Sequence, residues 1–93
     1  MTPAARRILD AVVERVREVS PAGLGHWTPA WELVHRPGDR FLDALKLWQE
    51  EDSPGTRGAL QGAAEAFVGA WQEAARRWEA EGRPSRPEEE AVA

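Results

Sequence analysis

SPGTRGALQGAAEAFVGAWQEAARRWEAEG, residues 53–82, decides the architecture. Ser53 and Pro54 supply an N-cap followed by proline at the first helical position, and Gly82 with Pro84 beyond it supplies a stop. Between them Leu60, Ala64, Phe67, Trp71, Ala74 and Trp78 recur at alternating spacings of four and three, which places them on one side of a long helix. At 1.5 Å rise per residue such a helix is roughly 40 Å long and needs partners along its length. Outside that stripe Gly58, Gly62, Ala66, Gly69, Ala70 and Glu73 make a side of mostly small residues, widened by Ala59 and Ala63. Glycine costs up to about 1 kcal/mol inside a helix, so three in its first half call for close approach of another helix, or else reflect a chain rich in alanine and glycine.

Working outward, the cap-then-proline signature recurs at Thr2-Pro3 and Thr28-Pro29. Ala5, Ile8 or Leu9, Val12, Val16 and Val19 then fall at helical spacing, predicting a first helix from Pro3 to Val19 with a solvated face of mixed charge. Pro21, Gly23 and Gly25 interrupt it, and the apolar Leu24 and Trp27 predict a loop folded back over the core. A short helix is expected from Pro29 to His35. Arg36-Pro37-Gly38-Asp39 should break it, because Pro37 lacks an N–H and disfavours helical geometry at Arg36. With Asp39 as cap, a further helix is expected from Asp39 to Asp52, burying Phe41, Leu42, Leu45 and Trp48, before the long helix from Pro54 to Glu81. The expected fold is all-α: a small helical bundle of three main helices plus one short helix, with a long C-terminal helix, residues 1–82, followed by a disordered acidic tail, residues 83–93.

The 93 residues carry a net charge of -4, which opposes non-specific binding to a polyanion. Lys46 is the only lysine and asparagine and tyrosine are absent, the bias of a GC-rich bacterial coding sequence. No window approaches eighteen apolar residues, so no membrane span or signal segment is expected. The lack of cysteine removes disulfides and thiolate metal sites and fits a cytoplasmic location.

Catalytic motifs are missing: there is no phosphate-binding glycine loop, no G-x-S-x-G elbow and no H-E-x-x-H. Ser20, Ser53 and Ser85 read as turn, cap and tail, and the Asp39 and Asp43 pair has no sign of a pocket. Glu32 and His35 form an E-x-x-H pair, but the second such pair and further inward glutamates of a di-metal bundle are wanting. His35 is better placed to meet carbonyls at the end of the short helix, and His26 to hydrogen bond within the loop beside Trp27. No enzyme activity, metal or cofactor is expected. Five tryptophans in so short a chain are the unusual feature, since tryptophan anchors dominate protein interfaces. Trp48 and Trp71 read as core. Trp27, Trp31 and Trp78 read as interface residues, with Trp78 left uncovered at the end of the long helix.

The lead expectation is therefore a protein-interaction or adaptor module that binds itself as a homodimer, or another protein, through Gly62, Ala66, Gly69, Ala70 and Trp78, with Trp27 and Trp31 alongside. The alternative is a small helix-turn-helix-like DNA-binding regulator using Arg36, Arg40 and Lys46, whose candidate recognition helix is close to neutral for that role.

Overall fold

The computed structural model describes residues 1–84. Three α-helices make an all-α bundle: α1 (Pro3–Val19), α2 (Thr28–Glu50) and α3 (Pro54–Ala80), with a 3-10 turn over Leu24–His26 between the first two. Two of the three caps expected ahead of a proline form. The Thr2 hydroxyl accepts the Ala5 N–H at 3.1 Å. Ser53 and Thr56 make a reciprocal capping box, each side chain accepting the other's backbone N–H. At Thr28 the side chain does not cap, and Trp27 occupies the N-cap position instead.

The helix break expected at Arg36 to Asp39 does not occur. α2 runs unbroken through Pro37, so the segment Pro29 to His35 is its first part rather than a separate short helix. The reason is burial. Ala30, Val34, Phe41, Leu45 and Trp48 form a single stripe only if helical rotation continues across residues 36–39, and the first four are fully buried. Proline inside a helix costs about 3 kcal/mol. Burying Val34, Phe41 and Leu45 returns about 1.5–3 kcal/mol each. Gly38 assists: a Cβ there would lie 3.1 Å from the Phe67 ring, so its absence lets the ring close on α2. Phe67 stacks on Phe41 with centroids 6.0 Å apart and planes within 8°. Loss of the turn also removes the helix-turn-helix outline, because Arg36, Arg40 and Lys46 share one continuous helix.

α2 and α3 lie antiparallel and share the largest interface, and α1 packs mainly against α3. A hydrogen bond from the Thr2 N–H to Gln49 Oε1 (2.8 Å) ties the start of α1 to the end of α2. The core has two parts. One joins Ala5 and Val12 to Phe41, Leu45, Leu60, Ala64 and Val68. The other surrounds Leu24 with Ala30, Val34, Trp71, Ala74 and Trp78, so the loop does fold back over the core as its apolar residues imply. Trp71 is core as expected, whereas Trp48 is only half-buried and donates its indole N–H to Asp52. The molecule measures 50 × 22 × 19 Å.

α3 ends in a Schellman turn, with the Arg83 N–H bonded to the Trp78 carbonyl, the Gly82 N–H to that of Glu79, and Gly82 at φ 82°. This turn returns Arg83 and Pro84, the first two residues of the expected tail, to the helix end. Residues 85–93, the rest of that expected tail, lie outside the described residues.

Replacing Pro37 with alanine restores the missing N–H and should raise the unfolding free energy by about 1–3 kcal/mol. In a turn the same change would be neutral or harmful. Gly38→Val should lower stability by about 1–3 kcal/mol by displacing Phe67. Urea denaturation checks both.

Candidate interaction surface

The residues expected at an interface separate into three environments. Trp78 is not exposed: it is 5% accessible, and this corrects its reading as an uncovered anchor. Its indole N–H donates to the Pro84 carbonyl at 2.9 Å, Arg83 lies over its ring at 5.6 Å, and Gly23 abuts its other edge. The 3-10 loop and the Schellman turn supply the cover that a count of helices alone omits. Trp27 is half-buried where the start of α2 meets the end of α3, beside Pro29, Leu33 and Ala80.

Trp31 remains 52% exposed. It is nonetheless fixed in place, since its indole N–H donates to the Gly25 carbonyl at 2.7 Å and its ring meets Trp71 edge-on at 5.4 Å. With Leu9 and Val13 of α1 and Leu42 of α2 it lines an apolar groove of about 340 Å³ floored by Phe67.

On α3, Gly62 and Ala66 are exposed, while Gly69 and Ala70 are half-buried, Ala70 against the second core. A Cβ added at Gly58, Gly62 or Gly69 would meet nothing within 4 Å. These glycines therefore admit no neighbour within the chain. The structure does not join them to Trp27 or Trp31.

Two surface leucines escape the sequence reading. Leu42, expected in the core, is 49% exposed, and Leu47 is 56% exposed. Their positions hold the signal: at 100° per residue Leu42 falls about 100° to one side of Phe41 and Leu47 about 120° to the other, so one helix face cannot bury all three. Leu47 borders a second apolar hollow, on the side of the α2–α3 seam away from α1, with Ala44, Ala59, Ala63, Arg40 and Asp43.

Charges are arranged unevenly. Arg6 pairs with Asp10 and Arg17 with Glu14 on α1, Arg57 with Asp52 at the α2–α3 turn, Arg76 and Arg77 with Glu73, and Arg83 with Glu79. Among the described residues α2 contributes to none of these pairs, although it carries Glu32, Arg36, Asp39, Arg40, Asp43, Lys46 and Glu50. His35, now within a helix rather than at its end, places Nδ1 3.2 Å from the Trp31 carbonyl. Among the described residues no three His, Cys, Asp or Glu side chains gather where a metal could bind, and no helix is long and apolar enough to cross a membrane.

No family model, curated protein or solved structure matches the chain. What it does must be read from its own surface. By shape it is a small all-α bundle consistent with a protein-interaction module.

The fork of Arg76 and Arg77 hydrogen bonds lowers the Glu73 carboxyl from 4.5 to about 2. Because the folded value lies below the unfolded one, the stabilisation from this group is complete above pH 4.5 and is lost as the pH falls through about 2. An NMR titration should find the Glu73 midpoint near the lower value, and Arg76→Gln with Arg77→Gln should return it toward 4.5. A wild-type midpoint already at 4.5 contradicts the fork.

Proposed function

We propose that this chain is a protein-interaction module that associates with itself, with α3 supplying part of the contact face. It binds rather than catalyses. One observation carries the reading: Gly58, Gly62 and Gly69 lie on α3 where an added Cβ would meet nothing. Each costs up to about 1 kcal/mol against alanine in a helix, and packing within the monomer recovers none of it. A second helix approaching closely would use the missing side chains. Ala66 and Ala70 extend the low surface, and small residues at such a contact bring backbones together. Trp31, pre-positioned and half-exposed, is available for a further partner, since a rigid aromatic loses little entropy on binding.

Sedimentation velocity over a concentration series should show a monomer–dimer equilibrium. Gly62→Leu should weaken dimerisation at least tenfold, about 1.4 kcal/mol, while leaving the melting temperature unchanged or higher. A strict monomer at the highest soluble concentration contradicts self-association.

A further inference from the structure

We infer that residues 81–84 form a strained latch that opens while the three helices stay folded, and that its opening brings the buried Trp78 indole to solvent. The latch belongs to the monomer and does not depend on self-association. Its first support is the backbone. Glu81 closes α3, Gly82 turns left-handed at φ 82°, and Arg83 follows at φ 57°. Among the described residues Arg83 is the one non-glycine residue with positive φ. There the Cβ crowds the residue's own carbonyl. Pro84 adds to the strain, because a proline ring steers the residue before it toward extended geometry.

The contacts that hold this turn closed are mostly at the surface. The Arg83 guanidinium donates to both oxygens of Glu79, from Nε at 2.9 Å and Nη2 at 2.5 Å, and lies 5.6 Å over the Trp78 ring. The two charged side chains are 59% and 44% exposed, so solvent and salt screen their attraction. Partly buried is the bond from the Trp78 indole N–H to the Pro84 carbonyl. Glu81, Gly82 and Arg83 are exposed and contribute no side chain to either core. Closure thus sets screened contacts and a few hydrogen bonds against local strain and the entropy of ordering a chain end. A segment so balanced opens without the rest of the fold.

Trp78 is where the opening is felt. Arg83 and Pro84 cover it on one side, and on the other Gly23 approaches so closely that a Cβ there would lie 3.2 Å from the ring. An open latch takes away both the acceptor of the indole N–H and the cation over the ring. Trp71 provides the contrast. It is buried like Trp78, and its indole N–H has no hydrogen-bond partner among the described residues, yet it stands about two and a half turns inside α3. The bonded indole should therefore exchange its proton sooner than the unbonded one.

Solvent exchange of the indole N–H groups, followed by NMR in the full chain, tests the latch. Trp78 should exchange about tenfold or more faster than Trp71. Its rate should depend little on urea below the unfolding transition, because a local opening exposes little surface. Arg83→Ala deletes the ion pair and the cation over the ring but keeps the left-handed strain, so Trp78 should exchange about threefold or more faster than in the parent. Arg83→Gly deletes the same contacts and relieves the strain, and should exchange about threefold or more slowly than Arg83→Ala. Trp71 exchange and helical circular dichroism should be unchanged in both variants, since Arg83 is exposed and lies beyond α3. Equal exchange of the two indoles, a Trp78 rate that rises with urea as steeply as global unfolding, or identical rates in the two variants overturns the latch.

Discussion

The stacked rings of Phe41 and Phe67, closed over the bare Cα of Gly38, hold α2 against α3, and the other contacts follow from that seam. A stiff α2 keeps Val34 and Ala30 in the second core while Leu45 and Ala44 fill the first. Were the chain to turn at Pro37, these two sets would face different directions. The proline penalty is therefore absorbed by side chains on both flanks, and the result is one continuous helix where two short ones would otherwise stand.

That continuity shapes what the protein presents outward. α1 covers one side of the α2–α3 hairpin and leaves the other uncovered, and on the uncovered side α2 offers Leu47 between charges of opposite sign. At the far end the bundle is closed more fully. Leu24 enters the core from the loop, and the turn at Gly82 brings Pro84 onto the Trp78 indole, so that this tryptophan is buried within the monomer. Ion pairs on α1 and α3 are exposed and each contributes little energy. They leave Arg7, Arg15 and Glu18 of α1 without an ion-pair partner among the described residues, as they do the charges of α2.

Much of the fold was legible in local pattern. The bounds of α1 and the start of α3 follow from Thr2-Pro3 and Ser53-Pro54, and the α3 stripe from Leu60 to Trp78 is the buried one, with Val68 completing it. Three readings failed where tertiary contacts override local propensity. Pro37-Gly38 carries a strong breaker signal, yet a stripe linking Val34 to Phe41 through the helical period outweighs it. Leu42 looked like core because it sits beside Phe41, although rotation carries it to the rim. Trp78 looked uncovered because a helix tally omits what a 3-10 turn and a C-terminal return can bury. The expected contact residues were less legible still: Gly62 and Ala66 are exposed as a contact face requires, but nothing in their spacing pointed to Leu47 or to the unpaired charges of α2 beside them.

The most direct measurement is a filtered NOE experiment on a mixture of isotope-labelled and unlabelled chains, which detects only contacts between copies. Contacts from the Ala66 and Ala70 methyls of one chain to side chains of the other are predicted. Intermolecular signals confined to Trp31 and Leu42, or none at a concentration where the parent sediments as a dimer, would contradict α3 as part of the face the protein uses.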